Sequence, residues 1–188
     1  MSTNSKKTLT TKNMILCALF VALIAIGAFI KIPVPVCPFT LQLLFTTLAG
    51  LLLGANLGFI SVFTYIIIGL IGIPIFTEGG GPGYIFQPTF GYLIGFAVGA
   101  YFAGKLTENR QHLSYTYLIF VNFVNLFFVY GFGMIYVYII NNFYLNTPIG
   151  VWPLFLYCFL LAVPGDIVLC IIAAILGKKL IPNLRYYN

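Results

Sequence analysis

Ser114-Tyr-Thr-Tyr-Leu-Ile-Phe-Val-Asn122-Phe-Val-Asn125-Leu-Phe-Phe-Val-Tyr130-Gly-Phe-Gly-Met-Ile-Tyr-Val-Tyr-Ile-Ile-Asn-Asn-Phe-Tyr144 contains no charged side chain. As a helix, its about 30 residues rise roughly 45 Å, more than the roughly 30 Å hydrocarbon core of a bilayer. Such a stretch reads as a membrane span that projects past one boundary. The rest of the chain agrees. Of 188 residues, 61% are hydrophobic and 6% charged, against about 25% charged in a soluble domain. A soluble globule has too much surface to cover with so few charges. The same apolar content excludes disorder. The length suits one membrane domain, residues 1–188, with six spans of about 20 residues and short connections.

Outward from that stretch, five more apolar runs appear. The expected spans are Met14 to Ile30, Leu41 to Leu53, Leu57 to Ile73, Pro88 to Gly104, Ser114 to about Tyr144, and Val151 to Leu176. The second falls short of the roughly 17-residue minimum for crossing. A tight turn at Gly54-Ala55-Asn56 joins it to the third. Six crossings put Lys6, Lys7, Lys12, Lys105, Arg110, Lys178, Lys179 and Arg185 on one side and only Lys31 on the other. Positive residues favour the inner side, so residues 1–12 and both termini are expected in the cytoplasm. The net charge of +6 therefore reads as orientation, not as a nucleic-acid surface. A basic start before an apolar run also resembles a cleaved leader. Five further spans make a retained first helix the simpler reading.

Catalytic and metal signatures are weak. Gly99-Ala-Tyr-Phe-Ala-Gly104-Lys105 has phosphate-loop spacing but continues with Leu106 and follows no strand. No ATP-hydrolysing apparatus is expected on this chain. The four cysteines form no CxxC or Cys/His cluster, and His112 stands alone in a polar loop. Neither a metal nor a cofactor is expected, and no Ser/His pair, aspartate pair or HExxH motif suggests an enzyme.

The outer loops, residues 31–40 and 74–87, carry the more specific signals. Three prolines make the first extended and stiff, and Thr40 is placed to cap the second span. Gly79-Gly80-Gly81-Pro82-Gly83 reads either as a linker or as a nest of amides for an anion. The second, fourth and sixth spans would point their N-terminal dipole ends outward, which favours the anion. Asp166, after Pro164-Gly165, is the only acidic residue within an expected span. A charge there usually faces a cavity or a partner. Asn122 and Asn125 are interhelical contacts or cavity groups. Gln42 and Gln87 stand beside outward helix starts, and Tyr84, Tyr92 and Trp152 are near enough to wall a pocket. Gly91, Gly95, Gly99 and Ala103 form one small-residue face, and Gly50, Gly54 and Gly58 a second, both suited to close packing. Ala18, Ala22 and Ala25 form a third, for internal packing or a partner helix.

The stretch Pro33-Val34-Pro35-Val36-Cys37-Pro38-Phe39-Thr40-Leu41-Gln42 resembles the signature of the BioY family, biotin-binding S-components of energy-coupling-factor (ECF) vitamin transporters. In order along the chain follow Gly69-Leu70-Ile71-Gly72-Ile73-Pro74-Ile75-Phe76, Gly79-Gly80-Gly81 with Pro88-Thr89-Phe90-Gly91-Tyr92, and Pro164-Gly165-Asp166. The resemblance implies an all-α S-component fold in the cell membrane, with biotin captured from outside as cargo. It also implies assembly with a coupling transmembrane subunit and two cytoplasmic ATPases. A small-residue face on the first helix resembles the docking surface for the coupling subunit, which points to Ala18, Ala22 and Ala25. In the site, Asp166 is expected to accept a ureido N–H, assisted by Asn125 or Gln87. Gln42, Thr40, Tyr84 and Tyr92 are expected around the ligand, with Gly80 and Gly81 amides on its carboxylate. The chain departs from the family at Leu169, where a Lys often follows the aspartate, and at Gln87 and Phe90, where glycines are usual. Left open are the same fold with another vitamin, and a standalone channel or carrier.

Overall fold

A computed structural model describes residues 10–32, 38–108, 110 and 112–185. Helices account for nearly all of them. We label these α1 (Thr11–Phe29), α2 (Gln42–Leu53), α3 (Ala55–Ile71), α4 (Phe90–Glu108), α5 (Tyr115–Tyr144) and α6 (Val151–Leu184). The six expected spans are these six helices. Thr10 starts α1, its hydroxyl accepting the Asn13 N–H at 3.3 Å, and Ser114 starts α5 in the same way through Tyr117 at 3.2 Å. Both satisfy amides that a helix start leaves unpaired. α1, α5 and α6 have mean hydropathies of 2.1, 2.0 and 2.6 and are each long enough to cross a bilayer. Large apolar side chains face outward along them, among them Phe127 at 74% and Ile135 at 63% exposed. In water so continuous a surface would associate; against lipid it is the expected exterior. The chain is a multi-pass membrane protein.

The short second span has a structural reason. α2 lies inside the bundle, touching α1, α3, α4 and α6, and nearly all its residues are buried. A helix surrounded by protein need not match the bilayer thickness. This also explains how it carries Gln42, Thr46 and Thr47 at that depth. The two threonine hydroxyls donate to carbonyls one turn back, Thr46 to Gln42 O at 3.0 Å and Thr47 to Leu43 O at 2.6 Å.

Gly54 reverses the chain between α2 and α3 with φ +87°, a conformation that favours glycine. Glu108, at the end of α4, accepts the Ala55 N–H at 2.8 Å and so caps α3 with a negative charge. The expected small-residue faces are packing faces. A Cβ at Gly50 would run into the Ala100 backbone. Gly91, Gly95 and Gly99 set α4 against Tyr136, Val129 and Asn125 of α5. α6 extends beyond the expected Leu176, through Lys178 and Lys179 to Leu184. Lys178 lies over the Tyr115 ring, 3.9 Å from its centroid, so its stem covers helix surface while its charge stays at the bundle end.

Two of the connections on the Lys31 side carry local structure in their described residues. Lys31–Ile32 pairs antiparallel with Phe39–Thr40, closing the first loop into a hairpin; Pro33 to Cys37 lie outside the described residues. In the second, Phe76 and Gly79 exchange backbone hydrogen bonds, and a 3-10 turn runs over Pro82–Phe86. Phe76 is buried between Tyr65 and Tyr84, with ring centroids 5.4 and 4.4 Å away. Lys31 Nζ donates to Thr77 O at 2.8 Å and ties the two loops together.

Candidate ligand site under the outer loops

Asp166 reaches the bundle interior because α6 changes winding just before it. Residues Leu156–Leu160 form a π turn, in which the Leu161 N–H reaches back five residues to Leu156 O at 3.2 Å. The next amide, Ala162, reaches back only three, to Phe159 O at 3.1 Å. Regular four-residue spacing resumes as the Asp166 N–H meets Ala162 O at 3.1 Å. Pro164 has no N–H to lose, so it fits where the ladder is already disturbed. The break turns one face of α6 toward α5 and α4, and such turns often accompany functional sites.

There the Tyr130 hydroxyl of α5 donates to Asp166 Oδ2 at 2.5 Å. Asp166 is 8% and Tyr130 5% exposed. The Tyr130 ring meets Tyr92 and Phe159 edge-on, with centroids 6.1 and 5.1 Å away. Tyr92 Oη in turn donates to the Cys158 carbonyl at 3.2 Å, inside the π turn.

Asp166, Tyr130 and Tyr92 line a cavity between α2, α4, α5, α6 and the loops at one end of the bundle. The same cavity is lined by apolar Leu43, Leu93, Phe96, Val129 and Ala162 and by polar Thr40, Gln42, Thr77, Tyr84 and Thr89. These polar groups are linked. Thr40 Oγ1 accepts the Gln42 N–H at 3.3 Å, but the N-cap of α2 is Leu41, without a side-chain cap bond, so Thr40 sits one residue before the cap it was expected to form. Gln42 Nε2 donates to Tyr65 Oη at 2.8 Å, and Thr77 Oγ1 donates to Gln42 Oε1 at 3.4 Å. Tyr84 Oη and Thr89 Oγ1 lie 3.2 Å apart. Burial pushes the Tyr84 phenol above its ordinary pKa, more than its bond to Thr89 lowers it, so it stays protonated and able to donate. Phe39 roofs the site and rests on Gly165, where a Cβ would come within 2.6 Å of its ring. The free space is about 60 Å³, well short of the roughly 300–1,000 Å³ of drug-sized sites. A bicyclic ligand must therefore displace Phe39 or its neighbours on entry.

Five expected ligand residues line this cavity: Asp166, Gln42, Tyr92, Tyr84 and Thr40. The structure does not bring the other four to it. Asn125 is buried between helices, its Nδ2 donating to Thr47 Oγ1 at 2.6 Å and its Oδ1 facing Gly99. Gln87 is exposed on the outer surface. The Gly81 N–H is taken by Gly69 O at 2.7 Å, and a Cβ on Gly80 would strike the Ile73 carbonyl. Gly80 allows close packing of the loop on the end of α3, Gly81 takes a φ of +107° that favours glycine, and hydroxyl groups supply the polar lining in place of an amide nest. Trp152 is 68% exposed, well away from the cavity wall. Asn122 is an interhelical contact, donating to Cys170 O at 2.8 Å. Ala18 and Ala22 are exposed on α1, and Ala25 is half-buried.

Sequence reasoning missed Tyr130, Thr77, Thr89 and Phe39. Tyr130 had a signal. It lies eight residues after Asn122 and five after Asn125, on the helix face that those asparagines mark as internal. A tyrosine buried there needs a partner for its hydroxyl, and Asp166 was the only carboxyl placed within a span.

The model of the BioY family matches residues 1–186. The chain belongs to the BioY family. It is 42% identical over 176 residues to a protein of Lysinibacillus sphaericus named "Probable biotin transporter BioY", covering 94% of this chain and 90% of that one. A "Biotin transporter BioY" of Thermotoga maritima is 35% identical over 136 residues, covering 72% and 77%. Among solved structures, the S-component for biotin from an ECF-type ABC transporter superposes with a TM-score of 0.75 at 29% identity, covering 96% of this chain and 94% of that one. The fold is that of an S-component, and the named BioY relatives are transporters.

Proposed function

We propose that this chain is the biotin-binding S-component of an ATP-driven ECF importer in the cell membrane. Biotin has a ureido ring with two N–H donors, an apolar thioether ring and a chain ending in a carboxylate. Asp166 accepts a ureido N–H. Leu93, Phe96 and Val129 cover the thioether ring, with Tyr92 beside it. The hydroxyls of Thr77, Tyr84 and Thr89, with Thr40 and Gln42, receive the carboxylate under the outer loops. That assignment follows from chemistry: the carboxyl acceptor suits the N–H donors of biotin, and the hydroxyls suit an anion. The observation that carries this reading is Asp166, a buried carboxyl lining a cavity that has both apolar walls and several hydroxyls. A charge at that depth is costly unless it faces a partner or a cavity.

Both termini lie inside, because eight of the nine basic residues fall on that side of six spans. The outer loops then face the medium and admit biotin. The chain binds its cargo without chemical change, and a pair of cytoplasmic ATPases supplies the energy through a coupling subunit. The exposed Ala18–Ala22 face of α1 is the docking surface for that subunit, since small side chains let a second helix approach closely. Purified protein titrated with labelled biotin tests the assignment. Saturable binding that weakens about tenfold or more in Asp166→Asn supports it; unchanged affinity in that variant overturns it.

A further inference from the structure

Asp166 is buried in the membrane span with no basic side chain as its partner among the described residues. One turn further along α6 stands Leu169, apolar and 5% exposed. The group that meets the carboxyl is instead a neutral hydroxyl from the facing helix. Tyr130 Oη donates to Oδ2 at 2.5 Å. The Tyr130 ring is held on two edges, by Tyr92 from α4 and by Phe159 from α6. Its hydroxyl is thereby fixed in place by packing before any ligand arrives. No described side chain bonds to the second oxygen, Oδ1, and Asp166 lines the cavity.

We infer that Tyr130 is a positioning residue for Asp166: its hydroxyl holds Oδ2 and so fixes the orientation in which Oδ1 meets an N–H of the ligand. The inference rests on the biotin-site reading above and deepens it. An unheld carboxyl can rotate and can offer both oxygens side by side to a pair of donors. A carboxyl held at one oxygen by a locked ring presents its other oxygen in a fixed orientation and loses little orientational freedom on binding. The site then favours a ligand with an N–H at that point over one with an oxygen there, which would meet Oδ1 lone pair to lone pair. It reaches this selectivity without a cation beside the aspartate. A hydroxyl partner neutralises no charge, so the carboxylate keeps its full acceptor strength for the ligand.

The test is a double-mutant cycle on detergent-purified protein, with labelled biotin as probe and monodispersity by size-exclusion chromatography as the folding check. Tyr130→Phe keeps the ring and removes the hydroxyl. It is expected to weaken biotin binding about tenfold, or about 1.4 kcal/mol. Asp166→Asn should weaken it at least as much. In the Asp166→Asn background, Tyr130→Phe should cost less than twofold, because the oxygen it positions is already altered. Tyr130→His, which retains an N–H donor on a ring, should recover part of the affinity lost in Tyr130→Phe. If Tyr130→Phe is not monodisperse, Tyr130→His decides, with an affinity within threefold of the parent supporting the inference and a tenfold loss overturning it. Equal cost of Tyr130→Phe in both backgrounds makes the ring a packing element and overturns the inference, as does a change of under twofold in the parent. A biotin affinity untouched by Asp166→Asn instead overturns the underlying site reading, so the two failures are distinguishable.

Discussion

Gly99→Ala adds one methyl group at the tightest point between α4 and α5. The new Cβ would overlap Asn125 Oδ1. Asn125 has little room to yield, because its Nδ2 donates to Thr47 Oγ1 at 2.6 Å and Thr47 is committed to the Leu43 carbonyl at 2.6 Å. Either the helices separate, at about 1–3 kcal/mol for an overpacked contact, or Asn125 swings and breaks a buried hydrogen bond, at about 1–3 kcal/mol. Alanine returns about 0.5–1 kcal/mol through its better helix propensity. The net loss is about 0–2.5 kcal/mol by these figures, centred near about 1 kcal/mol. For a chain of about 150–250 residues a loss of about 1 kcal/mol lowers Tm by about 2–4 °C. Gly131→Ala is the internal control, since nothing lies within 4 Å of its Cβ position; it should leave Tm unchanged or raise it. Scanning fluorimetry of the two variants in one detergent reads both values. A Tm for Gly99→Ala equal to or above the parent would refute the close-packing argument for the whole Gly91–Gly95–Gly99 face.

Three further outcomes are expected. Asp166→Asn should weaken biotin binding by roughly 10- to 100-fold, the scale of a hydrogen bond to a charged group, measured by equilibrium binding of labelled biotin. Ala18→Trp or Ala22→Trp should leave biotin binding intact, because both residues point out of the bundle, while abolishing co-purification with the coupling subunit; retained assembly and uptake would contradict the docking face. Glu108→Ala leaves the Ala55 N–H without the acceptor it has at 2.8 Å. It should lower Tm by the equivalent of about 1 kcal/mol without changing biotin affinity.

The fold was legible because six apolar runs and the few polar connections between them leave little choice of architecture. What the sequence could not convey was depth. Span 2 reads as too short, and only its enclosure by α1, α3, α4 and α6 explains why it need not reach across the bilayer. The glycine run in the second outer loop reads equally well as an anion nest, since composition is the same whether amides face a ligand or a carbonyl. Here the Gly81 amide meets Gly69 O. Asn125 was ambiguous for a similar reason: a buried amide in a span serves a cavity or a neighbouring helix, and here its Nδ2 bonds Thr47 while its Oδ1 faces Gly99. Asp166 was singled out because a lone carboxyl within a span has few alternatives, and it lines the cavity. Tyr130 was hidden among thirteen tyrosines, most of which read as interfacial.

Whether this cavity holds biotin is decided by one titration. Labelled biotin is added to the purified protein in detergent, alone and with an excess of unlabelled biotin, riboflavin, thiamine or folate. The account predicts saturable one-to-one binding that unlabelled biotin displaces and the other vitamins leave in place. Displacement by another vitamin, or no saturable binding of biotin by a monodisperse sample, would contradict it.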